Sequence, residues 1–173
     1  MYAIMYMRHL YIIAVTISML INLTGCKEIP PDLNATLPPP VNTEIYTILP
    51  YDSTAMQAMN WYYKDENGHP DTLTVRQVDS LETIVDSAYR DYTKDSTAYQ
   101  HSLLPLKNYR RQYVAVCTDN GEKQVWVNFL CADLNGDWKH VALSVDDGGK
   151  CFFQLFINVT RRKAIKLIPG GSA

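Results

Sequence analysis

Several side chains in this sequence have the types that catalysis requires. Ser144, His140 and Asp146 can be assembled into a Ser-His-Asp set, in which a histidine activates a hydroxyl as a nucleophile. Ser144 lies in a predicted strand, however, without the sharp turn and oxyanion-hole donors that such a nucleophile needs. Asp146-Asp147 can act as paired carboxylates, but Gly148-Gly149 explains the segment as a turn, and no partner base lies nearby in sequence. The sequence therefore predicts no catalytic residue.

Metal-binding patterns are equally incomplete. Residues 133–137, with the sequence DLNGD, are similar to the start of a calcium loop, which needs oxygen ligands at positions one, three and five. The sixth position is Trp138 instead of glycine and the twelfth is Ser144 instead of glutamate, which favours a connecting turn. The other candidate ligands show no CxxC or HxxxH spacing: His69, His101 and His140. No metal site and no cofactor are predicted.

The first 26 residues give the clearest chemical signal. Arg8 precedes an uncharged apolar run, 10–23, whose 14 residues fit a signal peptide and are short for a membrane span of about 20. The run ends in Leu-Thr-Gly-Cys at 23–26, which resembles the lipobox of bacterial lipoproteins. That resemblance implies lipid transfer to the Cys26 thiol, cleavage before Cys26 and acylation of the new N-terminus. The alternative is an uncleaved membrane anchor.

The N-terminal segment also predicts where the protein is located outside the cytoplasm. Lys27-Glu28 resembles the charged sorting signals of Bacteroidetes lipoproteins, which implies the outer membrane or cell surface. Removal of residues 1–25 takes Arg8 away and leaves 148 residues with 15 basic and 18 acidic side chains, a net charge of −3. No basic stripe exists, and Arg161-Arg162-Lys163 is interpreted as a turn between strands. We therefore predict a membrane contact through lipid and no nucleic-acid partner.

The mature chain divides into a tether and one domain. Residues 26–43 hold five prolines and little periodic apolar content, which predicts an extended, stiff tether. Residues 44–173 are the length of a single domain. Within it, residues 55–63 fit either a short helix or a strand. Apolar residues at intervals of three and four from Val75 to Tyr92 predict an amphipathic helix, preceded by the capping-box pattern of Thr74 and Gln77.

From Tyr109 onward the apolar period changes to two, which predicts strands. The expected strands are 113–117, 124–131, 138–145, 151–159 and 163–168, with hairpin turns at Asn120-Gly121 and at residues 146–149. The expected fold is therefore α+β, with one amphipathic helix packed on a four- to five-stranded antiparallel meander.

Register assigns the side chains to two faces of this sheet. A two-residue turn at Asn120-Gly121 pairs Val116 with Val125 and directs both toward the helix. It also separates the thiols: Cys117 and Cys131 lie on opposite faces, and Cys151 lies three strands from Cys117, beyond the reach of a disulfide at about 4.8 Å per strand. With Cys26 assigned to lipid, the other three cysteines are interpreted mainly as buried apolar residues.

The face opposite the helix combines large aromatic and polar side chains, which solvated faces usually lack. Either residues 44–63 cover this face, or a ligand binds there. The candidate ligand-binding residues are Tyr113, Trp126, Asn128, His140, Phe152 and Gln154.

Sequence strings in the C-terminal half resemble a family of small, uncharacterised, secreted or lipid-anchored Bacteroidetes proteins. The strings are YRRQYVAV, GEKQVWVNFLC and DDGGKCFFQLFINVT, and the resemblance covers about residues 72–173. It implies a cystatin-like fold and an envelope location, and it implies no catalytic residue. The C-terminal Pro-Gly-Gly-Ser-Ala departs from the family's Asn-Gly-x-Ala ending.

The sequence favours a lipid-anchored envelope protein whose domain is a non-enzymatic binding module for an envelope protein, a peptidoglycan fragment or a glycan. The alternatives are a small hydrolase, which requires His140 in a deep pocket with a carboxylate and a nucleophile, a cystatin-like inhibitor of a hydrolase, and a structural spacer.

Overall fold

The computed structural model describes residue 26 and residues 44–59, 68–95, 103–145 and 148–171. The expected signal peptide at 1–25 and all of the expected tether at 26–43 except Cys26 lie outside the described residues, as do residues 60–63, His101 and Asp146-Asp147. The strands are β1 (Tyr46–Leu49), β2 (Gly68–Pro70), β3 (Tyr109–Thr118), β4 (Lys123–Cys131), β5 (Phe152–Asn158) and β6 (Lys163–Pro169). The helices are α1 (Ser53–Met59) and α2 (Val75–Asp95).

Helix α2 is the element that the sequence describes best. Thr74 Oγ1 accepts a hydrogen bond from the Gln77 amide at 3.3 Å, while Gln77 Oε1 accepts from the Thr74 amide at 2.9 Å, so the predicted capping box is confirmed. Val78, Leu81 and Val85 are completely or almost completely buried against the sheet. The apolar stripe is therefore a core face, as predicted.

The sheet confirms the α+β class and corrects its details. The six-stranded sheet has the order β1-β3-β4-β5-β6, with β2 also paired to β3. Strands β3 to β6 form the expected antiparallel meander, but β1 pairs with β3 in parallel. The expectation of one helix on four or five antiparallel strands is therefore wrong in both numbers and in the direction of one strand pair.

The expected strand at 138–145 is absent from these described residues, which form turns and irregular backbone. Strand β4 pairs directly with β5, so residues 132–151 form a long connection instead of a central strand. A Cβ at position 148 would come within 2.3 Å of the Phe152 Cβ, so Gly148 permits close packing. Gly149 instead has φ 52°, a backbone conformation that favours glycine. The expected hairpin turn at this segment is wrong, because no strand precedes it at 138–145.

The β3–β4 hairpin differs from its predicted register by one residue. The Thr118 amide bonds the Glu122 carbonyl at 3.0 Å, and Gly121 has φ 72°, so the loop has three residues ending in a left-handed glycine. Cys117 consequently pairs with Lys123, and Val116 pairs with Gln124 instead of Val125. A one-residue shift exchanges the two faces of β3.

This exchange determines which residues meet α2. Tyr113 and Ala115 pack with α2, together with the residues of β4 and β5 that were predicted to do so. Val114 and Val116 instead pack on the opposite side, against α1. The residues confirmed on the α2 side are Val125, Val127, Phe129, Cys131, Phe153, Leu155 and Ile157.

The prediction that the cysteines are unpaired is wrong. Cys131 ends β4 and Cys151 precedes β5, so direct pairing of these strands brings their Cα atoms to 4.7 Å, and a disulfide joins them. A second disulfide joins Cys26 to Cys117, with Cα atoms 5.9 Å apart. The interposed strand on which the prediction depended does not exist.

Candidate functional site

The residues proposed as a ligand-binding face do not form an exposed surface. Tyr113 lies on the α2 side of the sheet, while Trp126, Asn128, Phe152 and Gln154 lie on the opposite side. All five are buried, none more than 5% exposed. Only His140 of the original six is exposed, and it belongs to the connection rather than to a strand. The alternative interpretation, that the second face is covered, is the one that the structure supports.

The cover comes from two segments. Helix α1 packs Ala55, Ala58 and Met59 over one part of the face, as expected for the N-terminal segment. The connection covers another part, where Trp138 packs with Leu130 and Phe152. The sequence analysis missed this second contribution because it assigned residues 138–145 to the sheet itself.

A row of polar side chains fixes the connection in place. This polar row consists of Thr47, Gln112, Asn128 and Gln154, which are neighbours in register on β1, β3, β4 and β5. All four are at least 95% buried. Such groups are costly to bury unless they find hydrogen-bond partners, and the connection's backbone supplies several of them.

Gln112 is the centre of this row. Its Nε2 donates to the carbonyls of Trp138 at 2.6 Å and Val141 at 2.7 Å, while its Oε1 accepts from the Leu143 amide at 3.0 Å. Asn128 Nδ2 donates to Gln112 Oε1 and to the Leu143 carbonyl, both at 2.8 Å. The side-chain amides of Gln112 and Asn128 thus bond backbone groups of the connection that, in a strand, would bond the backbone of a neighbouring strand. The polar row therefore has a structural role.

Two acceptors of the polar row have no hydrogen-bond partner within the described part of the chain. They are Asn128 Oδ1 and Gln154 Oε1, and the nearby Trp126 Nε1 is also unpaired. These atoms are shielded from solvent. Gln154 can therefore be compared with Gln112. Both are glutamines of the polar row, but Gln112 Oε1 accepts two hydrogen bonds and Gln154 Oε1 accepts none.

A second buried cluster joins α2 to β3. The Tyr113 hydroxyl donates to Glu82 Oε1 at 2.5 Å, and Arg111 Nε lies 3.4 Å from the same oxygen. Burial, reinforced by the negative charge of Glu82, raises the pKa of Tyr113 well above its usual value. The hydroxyl therefore stays protonated and acts as a donor, which suits a helix-to-sheet tie better than general-base chemistry.

His140 does not occupy the site that a hydrolase requires. Its Nδ1 lies 2.7 Å from Asp137 Oδ1, and both side chains are 63% exposed on a turn of the connection. Ser144 is also exposed, and within the described residues no nucleophile contacts His140. In the described residues, the carboxylate next to His140 is that of Asp137; Asp146, the third member of the expected set, lies outside the described residues.

One group of potential metal ligands is brought together. Cys131, Asp133 and Cys151 place three ligand atoms within 4.8 Å of one another. The two sulfurs are joined in a disulfide, so neither is available as the thiolate that binds a metal.

A groove lies between α2 and the β5–β6 turn in the described part of the chain. Its volume is about 550 Å³, within the size range of small-ligand sites. Leu81, Ile84 and Val159 supply apolar walls, and Arg162 supplies a positive charge. The remaining lining residues are Gln77, Ser80 and Thr83. We call this feature the helix groove.

Arg162 is held at the helix groove in an uncommon backbone conformation. Its φ is 53°, which costs a non-glycine residue about 1–2 kcal/mol. The turn compensates: the Arg162 amide bonds the Val159 carbonyl at 3.2 Å, and the Arg161 amide bonds Asn158 Oδ1 at 2.8 Å. The sequence identified this turn correctly, but nothing in the sequence indicated that its second arginine would line a groove.

The neighbouring Arg161 forms an ion pair with Glu122 instead of lining the groove. Arg161 Nε and Asn158 Nδ2 each donate to Glu122 at 2.7 Å, and these bonds lower the pKa of Glu122. Glu122 therefore links the β3–β4 and β5–β6 turns at one end of the sheet. Within the described chain, the Arg162 side chain has no such ion pair, so its guanidinium remains available to a ligand.

Comparisons with protein-family models, curated proteins and solved structures return no match. Among the described residues, neither helix is long and apolar enough to cross a membrane. Three features of this chain bear on its function: the lipobox-like segment, the covered sheet face and the helix groove.

Proposed function

We propose that this chain is a lipid-anchored protein of the cell envelope whose domain is a non-enzymatic binding module. In this proposal residues 1–25 are a signal peptide, Cys26 carries the lipid, residues 26–43 are a tether, and the outer membrane is the destination. The support is the apolar run that ends in Leu-Thr-Gly-Cys. We also propose membership of the small Bacteroidetes lipoprotein family and a cystatin-like fold, supported by one long helix packed on an antiparallel meander.

The helix groove is the observation that favours binding over the other functions. It is an open, mixed apolar and polar site, whereas His140 lacks the nucleophile that a hydrolase needs. The β3–β4 hairpin also argues against a cystatin-like inhibitor, because its tip carries Asp119 and Glu122 instead of an apolar wedge. A purely structural spacer would leave the groove without a ligand.

The groove's chemistry favours an acidic peptide over a neutral glycan. The guanidinium of Arg162 can bind a carboxylate in a bidentate manner, while the half-buried Ile84 and Val159 can contact small apolar side chains. No aromatic ring lines the groove or is among the large hydrophobic side chains exposed in the described residues. The aromatic face that motivated a glycan ligand is buried. Stem peptides of peptidoglycan, which carry carboxylates beside small apolar groups, have the required chemistry.

The anchor is tested by comparing the full-length chain with its Cys26→Ser variant in a bacterium that processes lipoproteins. We expect the wild-type chain to partition into a detergent phase and to show a mass increment of a diacylglyceryl group and an N-terminal acyl group. The Cys26→Ser variant should lack the increment. A wild-type population in which no chain carries the lipid mass would contradict the proposed anchor.

Binding is tested by titrating acidic and matched neutral peptides, including muropeptides, into isotopically labelled protein. We expect acidic peptides to shift the amide resonances of Thr83, Ile84 and Val159, and Arg162→Asn to weaken binding at least tenfold. Asparagine suits this position because it tolerates positive φ. Arg90→Gln is the matched control. Arg90 is an exposed arginine of α2, the helix that lines the groove, and it pairs with Asp86 outside the groove. Equal losses in both variants, or no shifts at all, would refute the groove as the site.

A further inference from the structure

The position of Cys26 in the structure bears directly on the proposed anchor. Its sulfur is bonded to Cys117, 91 residues away in sequence, and lies 3.6 Å from the carbonyl oxygen of Gly121. Cys117 is near the end of β3, and Gly121 lies in the following turn. The disulfide therefore holds residue 26 next to the β3–β4 turn.

The proposed lipid requires the same sulfur atom. In a lipoprotein, the cysteine sulfur forms a thioether with a glycerol carbon of the lipid. A sulfur bonded to Cβ and to that carbon has no remaining valence for a disulfide. Consequently, one molecule of this chain can carry the lipid or the Cys26–Cys117 disulfide, but not both.

We infer that Cys26 has two mutually exclusive covalent fates, which define an anchored and an unanchored form of this protein. In the anchored form, Cys26 carries lipid and Cys117 is a free thiol. In the unanchored form, the Cys26–Cys117 disulfide blocks lipid transfer. This inference rests on the proposed lipidation, because without lipid the disulfide has no competitor.

The two reactions differ in their electron balance. In lipid transfer, the Cys26 sulfur attacks the glycerol carbon of a phospholipid, the carbon–oxygen bond to the headgroup phosphate breaks, and the thiol proton is released; nothing is oxidised. In disulfide formation, Cys26 and Cys117 together lose two electrons and two protons. A disulfide-bonded thiol oxidant of the cell envelope accepts them and becomes a dithiol. The outcome therefore depends on whether lipid transfer or oxidation reaches the sulfur first.

The second disulfide provides a control within the same molecule. Cys131 and Cys151 are neighbours through the pairing of β4 and β5, and their bond does not involve the N-terminal segment. This disulfide is compatible with both forms. The two forms should therefore differ by one thiol: the anchored form has one free cysteine, and the unanchored form has none.

The test uses the full-length chain, expressed in a lipoprotein-processing bacterium and separated into membrane and soluble envelope fractions. Free thiols are alkylated with a maleimide before extraction, and intact masses are measured without reduction. We expect lipidated chains to carry one maleimide, at Cys117. Chains without lipid should carry no maleimide, in whichever fraction they occur. The complete absence of lipid from both fractions would refute the proposed anchor itself.

Other outcomes refute the competition while leaving the anchor intact. They are lipidated chains with no reactive thiol, and a wild-type population in which every chain is lipidated and no Cys26–Cys117 disulfide exists.

A variant pair tests whether Cys117 competes with the lipid. Cys117→Ser should reduce the ratio of unlipidated to lipidated chains at least threefold, and removal of the envelope thiol oxidant should have the same direction of effect. Cys151→Ser also breaks a disulfide but should leave this ratio unchanged. Circular dichroism checks that each variant is folded. An unchanged ratio in folded Cys117→Ser, or an equal change in folded Cys151→Ser, would overturn the inference.

Discussion

Replacing Gln112 with methionine tests whether the polar row holds the connection on the sheet. Methionine keeps the unbranched shape of glutamine but removes its amide, so four hydrogen bonds of 2.6–3.0 Å are lost. At about 1 kcal/mol for each bond, the free energy of unfolding should fall by about 4 kcal/mol. Domains of this size have stabilities of about 5–15 kcal/mol, so the loss should be large. With a urea m-value of about 2 kcal/mol/M, the unfolding midpoint should fall by about 2 M.

Gln154 provides the matched control for this measurement. It is 4% exposed, it lies in the same row two strands from Gln112, and its Oε1 has no hydrogen-bond partner. Gln154→Met removes a buried polar group whose oxygen is unsatisfied, so stability should change by less than about 1 kcal/mol in either direction. Urea unfolding can be followed by the fluorescence of the buried Trp126 and Trp138. Equal losses in the two variants, or a loss below about 1.5 kcal/mol in Gln112→Met, would refute the role of the polar row.

Three further perturbations follow from the same structure. Replacing both Cys131 and Cys151 with serine removes the disulfide that closes a loop with a sequence separation of 20, and the free energy of unfolding measured in urea should fall by about 3 kcal/mol. A loss below about 1 kcal/mol would contradict the pairing. Tyr113 has a folded pKa above its unfolded value of 10.0, so its stabilising effect is complete below pH 10 and is lost as pH rises through the folded pKa. Tyr113→Phe should therefore reduce the loss of stability between pH 9 and 11, and an unchanged slope would count against the buried hydroxyl. Thr74→Ala removes one half of the capping box and should lower stability by about 1 kcal/mol; an unaltered urea midpoint would argue that the cap is not formed.

The sequence predicted the elements whose signals are local. Helix α2 combines a capping box with an apolar stripe, and both are contained within its own residues. The α+β class and four of the five strands expected after residue 109 also follow from the change in apolar period at Tyr109, whereas the expected strand at 138–145 was wrong. By contrast, the β3–β4 register depended on whether Asn120-Gly121 forms a two-residue or a three-residue loop. Both loops accept these residues, so the sequence alone could not decide which face each β3 residue would take.

The connection at 132–151 shows why alternation can mislead. Val141, Leu143 and Val145 alternate as a strand would, yet Leu143 and Val145 pack around the cluster of Leu130 instead of joining the sheet. A signal against the strand was present in the sequence. Gln112, Asn128 and Gln154 occupy the middle of otherwise apolar strands, and buried amides require partners that a neighbouring strand's ladder does not provide. Reading these amides as ligand-binding residues overlooked the backbone of the same chain as their partner.

The same error concealed the cysteine pairing. Cys131 and Cys151 are neighbours only because no strand separates β4 from β5, so their disulfide could not be predicted before the connection was known. The helix groove was hidden for a different reason. It forms where the polar edge of α2 meets the β5–β6 turn, and this juxtaposition depends on packing that the two segments do not encode separately.

The Cys26–Cys117 disulfide and the proposed ligand site lie at the same end of the sheet. Glu122 bonds Asn158 and Arg161, so it links the turn that contacts Cys26 with the turn that carries Arg162. In the unanchored form, residue 26 is held at this end by Cys117, whereas a lipid on Cys26 removes that restraint. The proposed anchor residue and the proposed ligand site are therefore joined through a short path of bonded residues. For this reason, peptide affinity must be compared between the lipidated and disulfide-linked forms before either value is assigned to the protein on its membrane.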